Sequence, residues 1–217
     1  MQKYILSLII LLSSSQIFAQ GLSFSVVLDP QMTWMDSDSK KVEREGSNFG
    51  IGGGLVMDLY FAENYAFTSG LQILSTGGNL TFLDSIPIKP GGIIETLPAG
   101  STVEYKLQYL VIPFGLKLKS NEIGYFRFFA DLGILNQINL KATGTVESSG
   151  INGEDISDDI GFFMISYYIG GGLEYSLGGN TALIGGLYWN SGIWDVNTNQ
   201  LYRAHISSIA LRLGIKF

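Results

Sequence analysis

The chain has 217 residues, no cysteine, 28 glycines and a formal net charge of −6. A chain of this length makes one domain, the absence of cysteine excludes disulfides and lipidation at an N-terminal cysteine, and the acidic balance excludes nucleic-acid binding, which needs clustered Lys and Arg against phosphates. Mean hydropathy is +0.26, high for a water-soluble chain, yet no stretch reaches the roughly 18 apolar residues of a membrane-spanning helix.

The N-terminus reads as a secretory signal. Lys3 precedes the apolar run Tyr4 to Leu12, and small and polar residues follow as far as Ala19. A basic start, a short apolar core and a small residue before the cut predict cleavage after Ala19, with residues 1–19 removed and 20–217 forming one barrel domain. Losing Lys3 leaves 12 basic and 19 acidic residues, a net charge of −7.

Eight strands are predicted next, over 22–35, 47–61, 65–76, 104–119, 124–141, 161–177, 181–194 and 205–217. Short connections at 62–64, 120–123 and 178–180 alternate with long ones at 36–46, 77–103, 142–160 and 195–204. This is the layout of an all-β, eight-stranded antiparallel up-and-down transmembrane β-barrel, with tight periplasmic turns and longer outer loops. An even strand number puts both termini in the periplasm.

Within the strands the hydrophobic period is two rather than 3.6. In the second strand Phe49, Ile51, Leu55, Met57, Leu59 and Phe61 oppose Gly50, Gly52, Gly54, Asp58 and Tyr60. In the fifth, Phe126, Phe128, Leu132, Ile134, Ile138 and Leu140 oppose Arg127, Asp131, Gln137, Asn139 and Lys141. In the sixth, Phe163, Tyr167, Leu173 and Tyr175 oppose Ser166, Tyr168, Gly170, Gly172 and Glu174. In the last, Ile209, Leu211, Leu213, Ile215 and Phe217 oppose Ala210, Arg212, Gly214 and Lys216.

Three features turn the apolar face outward, to outer-membrane lipid. Its rings are too many for the narrow bore of eight strands. The opposite face is rich in glycine with isolated charges, which suits a tight interior better than a wet surface. Aromatics on the apolar face also gather at strand ends, with Trp34, Phe49, Phe163 and Trp189 toward the long loops and Phe61, Tyr65, Phe126, Tyr175 and Phe217 toward the turns. Two such rings are the interfacial girdles of a membrane barrel.

Asp58, Lys117, Arg127, Asp131, Glu174 and Arg212 then fall in the bore. Buried charges must pair, so Arg127 and Asp131 are expected to cluster with Glu174, Lys117 to join them, and Arg212 to meet Asp58 across the lumen. The structural reading is a closed ion-pair network; the alternative is a narrow path for ions or a solute. Pro113, in mid-strand without a donor, marks an expected bulge or bend.

With those residues placed, the segment Tyr109-Leu110-Val111-Ile112-Pro113-Phe114-Gly115-Leu116-Lys117 and the ending Leu211-Arg212-Leu213-Gly214-Ile215-Lys216-Phe217 resemble the PorT-like family of small outer-membrane β-barrels. The resemblance implies outer-membrane location and a signal peptide, and little chemistry. The terminal aromatic Phe217 is similar to the signal by which barrel-assembly machinery recognises outer-membrane proteins.

Other candidates carry less. His205-x-Ser207 resembles the His-x-Ser pair of lipid A deacylases, but no acid follows His205 to orient the imidazole. The acids Glu147, Glu154, Asp155, Asp158 and Asp159 match no defined calcium loop and read as a solvated segment. The loop 77–103, with Ile86, Ile88, Ile93, Ile94 and Leu97, is apolar for a wet loop. Its ends, Asn79–Leu83 and Ser101–Tyr105, are expected to extend the strands beside them. No cofactor, metal or catalytic residue is expected, and an envelope or extracellular protein is the expected partner of the long loops.

Overall fold

The computed structural model describes residues 21–197 and 203–217; the signal segment 1–19 lies outside the described residues. Eight long antiparallel strands form the staves: β1 Leu22–Asp36, β2 Asn48–Ala62, β3 Tyr65–Phe82, β4 Ser101–Lys119, β5 Phe126–Val146, β6 Phe163–Gly178, β7 Thr181–Gly192 and β8 His205–Lys216. Each pairs with its neighbour in sequence, and β1 pairs with β8, so the sheet closes. At the seam Phe24 N–H donates to the Phe217 carbonyl at 3.1 Å and Phe217 N–H to the Phe24 carbonyl at 2.9 Å. Closure leaves no unpaired edge along the spanning staves, which a bilayer requires because lipid offers backbone groups no partner.

The outer surface is apolar. Phe67, Leu71, Phe114, Phe128, Leu187 and Leu213 are all largely exposed on it, an arrangement water would penalise and lipid favours. Of the nine rings expected at the strand ends, Phe49, Phe61, Tyr65, Phe126, Phe163, Trp189 and Phe217 are exposed, and Trp34 and Tyr175 are half-buried. At the turn end Phe61 lies 4.7 Å from Phe67, and Phe126 lies 5.1 Å from Tyr175. At the loop end Tyr167 meets Trp189 edge-on at 5.5 Å, and Arg44 covers the Trp34 ring at 5.1 Å.

β3, β4 and β5 run well past the other staves at the loop end. Asn79 pairs with Glu104, Phe82 with Ser101, and Glu104 in turn with Thr145. Two short strands flank this wall, Val42–Arg44 beside β3 and Ile151–Asp155 beside β5. A separate small hairpin, Ile86–Ile88 with Glu95–Leu97, folds over the mouth. Ile86, Ile88 and Leu97 are buried there against Phe82, Val103, Tyr105 and Val146, so the apolar content of this loop builds a second core above the staves.

The backbone departs from the sequence reading at two places. Pro113 makes no bulge: Ile112, Pro113 and Phe114 pair in unbroken register with Asn136, Leu135 and Ile134. On its other side the pairing with β3 lapses between Thr68–Gly115 and Gln72–Val111 and resumes in the same register, because proline lacks a donor for that rung. Pro30 does the same to the β1–β8 seam, where pairing lapses between Leu28–Leu213 and Gln31–Ala210. The register shift lies instead where Gln108 pairs with Lys141 and Tyr109 with Asn139, with Leu140 as the extra residue. One extra residue inverts the side-chain alternation beyond it. Lys141, expected inside with Asn139, is therefore exposed, and Ala142 and Val146 are the residues buried inside.

Candidate functional site

The interior is built in tiers, counted from the turn end. Lowest is Glu174 on β6, whose Oε2 accepts from Lys119 Nζ at 2.5 Å and Lys216 Nζ at 3.3 Å. Both ammonium groups also reach the Tyr60 hydroxyl, at 3.0 and 3.3 Å. One tier up, Lys117 Nζ donates to Asp58 Oδ2 at 2.6 Å, and Thr68 Oγ1 donates to Asp58 Oδ1 at 2.8 Å. The Lys117 ammonium also lies 5.1 Å from the Phe129 ring centre.

The middle tier joins five staves. Asp131 on β5 accepts from Tyr168 Oη at 2.9 Å and Tyr188 Oη at 3.1 Å, one tyrosine for each carboxylate oxygen. Arg212 lies over the Tyr188 ring at 4.1 Å and donates twice to Asp29, Nε to Oδ1 at 2.9 Å and Nη2 to Oδ2 at 2.7 Å. Glycine makes these large side chains fit. A Cβ on Gly115 would lie 1.9 Å from the Tyr168 hydroxyl, and one on Gly170 would lie 2.4 Å from the Tyr188 ring.

Above the tyrosines lies a cavity of about 40 Å³, bounded by Gln31, Gln72, Val111, Pro113, Leu135 and Asn190. That is room for one or two water molecules, not a solute. Higher still the interior is apolar, with Met35, Leu107, Tyr109, Met164 and Ile206 buried below the loop hairpin. The bore is thus filled twice, by an ion-pair plug and by an apolar cap.

In the plug the four acids Asp29, Asp58, Asp131 and Glu174 face the four bases Lys117, Lys119, Arg212 and Lys216. The balance matters because an unpaired charge in such a bore costs several kcal/mol. Of the residues expected here, Asp58 meets Lys117, not Arg212, because Asp29 lies nearer to Arg212, directly across the seam. Arg127 does not join Asp131 and Glu174. It sits at the open turn-end mouth, where Nη2 donates to Glu122 Oε2 at 2.6 Å and both side chains are substantially exposed. Asp29 and Lys119 are absent from the sequence reading, which sets Lys216 on the inward face without assigning it a partner, although the period-two rule extended along β1 (Ser25, Val27, Asp29, Gln31, Thr33) already places Asp29 inside.

The His205–Ser207 pair lies on the outer face. Ser207 Oγ is 3.1 Å from Ser191 Oγ and buried, and Asp36, opposite His205 in register, pairs with Arg44 at 3.6 Å. The loop acids are spread rather than gathered: Asp155 Oδ1 accepts from Ser157 N–H at 2.8 Å, and Asp159 Oδ2 accepts from Lys89 N–H at 2.8 Å.

A closed barrel of eight staves with a lipid-compatible exterior and a filled bore defines an integral outer-membrane β-barrel protein. The chain belongs to the outer membrane protein beta-barrel domain family, whose model matches residues 18–196. Among solved structures it is similar to Neisserial surface protein A (TM-score 0.52, 15% identity), over 91% of this chain and 98% of that one. It is also similar to Ail, the attachment invasion locus protein of Yersinia pestis (TM-score 0.44, 14% identity, 91% and 100% covered), and to OprG of Pseudomonas aeruginosa (TM-score 0.42, 11% identity, 90% and 96% covered). No curated protein sequence matches the chain.

Proposed function

We propose that this outer-membrane barrel is a non-conducting, non-enzymatic display protein whose capped loop end binds a protein partner outside the cell. The observation that carries this reading is the double seal. A bore closed by paired charges and again by an apolar cap transports nothing, while the tall wall of β3 to β5 and its hairpin hold an ordered surface above the membrane. At the hairpin tip Ile93 and Ile94 are 68% and 67% exposed, apolar groups of the kind that anchor protein interfaces.

In this reading the turns and both termini face the periplasm, residues 1–19 are removed after Ala19, and Phe217 is the residue that barrel-assembly machinery engages. The Tyr109–Lys117 segment supports a relation to the PorT-like barrels. The test is a photo-crosslinking residue at Ile93 on intact cells. A discrete adduct, lost when the crosslinker is moved to the turn residue Asn121, is expected. Adduct formation from Asn121 but not Ile93 would overturn the reading, as would single-channel steps from the purified barrel in a planar bilayer.

A further inference from the structure

The hairpin above the apolar cap ends in a fixed tip. Lys89 N–H donates to Asp159 Oδ2 at 2.8 Å, while Gly92 N–H donates to the Lys89 carbonyl and Ile93 N–H to the Pro90 carbonyl, each at 3.2 Å. Gly91 and Gly92 take left-handed φ angles of 57° and 82°, which residues with a Cβ rarely adopt. Beyond that turn Ile93 and Ile94 stand in solvent, although Ile86, Ile88 and Leu97 of the same hairpin are buried. Apolar side chains held out on an ordered turn lose little freedom when a partner covers them.

The surroundings of this pair are acidic. The strand Ile151–Asp155 runs against Pro90–Gly92, and the turn Ser157–Asp159 is tied to the hairpin through Asp159. Segments 86–97 and 147–159 carry six acids, Glu95, Glu147, Glu154, Asp155, Asp158 and Asp159, against one base, Lys89. Elsewhere at this end of the barrel Asp36, Asp84, Glu104 and Asp195 each pair with a Lys or Arg. Glu95, Glu154, Asp155 and Asp158 are exposed and pair with no base among the described residues. No three acids gather closely enough to hold a metal ion among the described residues. They rim an apolar centre instead, which is the anatomy of a protein interface.

The sign of the rim selects the occupant. An anionic lipid surface is repelled by it, and so is a second copy of the same face. A basic surface is attracted, and contact distances lie within the Debye length of about 8 Å at physiological ionic strength.

We propose that the hairpin tip and its rim bind a basic segment of the partner protein, its apolar side chains on Ile93 and Ile94 and flanking Lys or Arg side chains on Glu95, Glu154, Asp155 and Asp158. This inference rests on the display reading and names the class of partner which that reading leaves open.

The test places the barrel in nanodiscs of zwitterionic lipid and titrates it into the labelled peptide Lys-Lys-Leu-Leu-Lys-Lys, followed by fluorescence anisotropy against empty nanodiscs. Lys-Lys-Ser-Ser-Lys-Lys and Glu-Glu-Leu-Leu-Glu-Glu each keep one half of the recognition. Saturable binding of the first peptide is expected, weakening as salt is added. Both others should bind at least about tenfold more weakly, a difference of roughly 1.4 kcal/mol. Ile93→Ser with Ile94→Ser, and separately Glu154→Gln with Asp158→Asn, should each weaken the first peptide about tenfold. All four side chains are exposed, so neither variant disturbs the packed interior. Asp38→Asn with Glu43→Gln removes the same charge at the other edge of the wall, beside β3, and should leave binding unchanged. Absence of saturable binding by Lys-Lys-Leu-Leu-Lys-Lys overturns the proposal. So does equal binding of Lys-Lys-Ser-Ser-Lys-Lys, or an equal loss in the variant at Asp38 and Glu43. A crosslinked adduct from Ile93 on intact cells, without peptide binding, would overturn the basic partner while the display reading stands.

Discussion

Arg212 donates two hydrogen bonds to Asp29, a residue 183 positions earlier in the chain, and the pair spans the seam where the first stave meets the last. It sits where Pro30 interrupts the backbone ladder, with pairing lost between Leu28–Leu213 and Gln31–Ala210. A bidentate carboxylate–guanidinium contact is geometrically specific as well as strong. It pins the register of the closing seam at the rung the backbone cannot supply. Replacing one partner, as in Asp29→Ala, strands the other charge and should cost about 3–5 kcal/mol. The double variant Asp29→Leu with Arg212→Met removes both charges and should recover most of that loss. Urea unfolding in lipid vesicles, followed by the gel-mobility shift of the folded barrel, measures both; equal loss in single and double variants would show that the pair does not act as a unit.

Two seals in series make a specific prediction about conductance. Deleting the hairpin segment 84–99 removes the top of the apolar cap but leaves Met35, Leu107, Tyr109, Met164 and Ile206 beneath it, and the Asp131–Tyr168–Tyr188–Arg212 tier, in place. No conductance is expected from the wild type or from this deletion. Tyr168→Ala with Tyr188→Ala in the deletion background removes the two rings of the middle tier but leaves Arg212–Asp29 and the Lys117–Asp58 and Glu174 tiers below it, so it too should stay silent in a planar bilayer. Steps from the deletion alone would mean that the charged tier does not block the bore.

The close approach of Tyr168 to β4 offers a packing test. At Gly115 a methyl group would fall 1.9 Å from the Tyr168 hydroxyl, so Gly115→Ala must push the ring away from Asp131. Overpacking of this kind costs about 1–3 kcal/mol, and displacing the tyrosine leaves Asp131 with one donor fewer. Tyr168→Phe in the Gly115→Ala background removes the clashing oxygen and should restore part of the loss. The Leu132 carbonyl, 2.8 Å from the same position, keeps that rescue incomplete. A chemical-denaturation comparison of the single and double variants measures it.

Much of this architecture is legible in the chain because period two is a strong signal. Strand number, the lipid-facing rows and the inward placement of Asp58, Lys117 and Glu174 follow from alternation alone. Which charge meets which does not, because partners depend on stave tilt and on inward residues of β1 and β8, the two staves farthest apart in sequence. Asp29 and Arg212 illustrate this. Lys141 illustrates a second limit: neither Gly nor Pro marks the extra residue Leu140, so nothing local announces that the alternation inverts. The cap is a third case. Ile86, Ile88 and Leu97 are visibly apolar, but their burial depends on β3, β4 and β5 rising past their neighbours to provide a wall.

Above that wall's base, Glu45 Oε2 accepts from Thr81 Oγ1 at 2.6 Å and from Thr102 Oγ1 at 2.8 Å. These hydroxyls, Thr81 first, hold the Glu45 carboxyl below its ordinary value of 4.5. A depressed carboxyl stabilises the fold above its unfolded value, and that contribution is lost as pH falls through the folded one. The clasp of loop 37–47 onto β3 and β4 should therefore persist at neutral pH and release only in acid, below the range where an ordinary glutamate titrates. Carbon-detected NMR of the Glu45 carboxyl gives its titration, and amide exchange at Thr81 and Thr102 gives the clasp. Glu45→Gln should abolish the pH dependence of that exchange, and an ordinary titration for Glu45 would remove the clasp from the account.

The tryptophans test the membrane frame itself. The chain has 3 of them, and Trp34, Trp189 and Trp194 all lie at the loop end. Trp189 and Trp194 are 41% and 49% exposed, and Trp194 packs edge-on against Phe163 at 5.7 Å. Indole favours the headgroup level, where its ring is apolar and its N–H finds a partner. Spin labels near the lipid headgroups should therefore quench the intrinsic fluorescence more strongly than labels at the acyl chain ends. Trp189→Phe should sharpen this contrast, because Trp189 pairs in register with Ile169 and Ile209, below Trp194, and so is the deeper of the two. Stronger quenching from the bilayer centre would shift the barrel along the membrane normal and place the wall of β3 to β5 inside the lipid, where its polar outer face of Thr81, Thr102 and Glu104 could not remain.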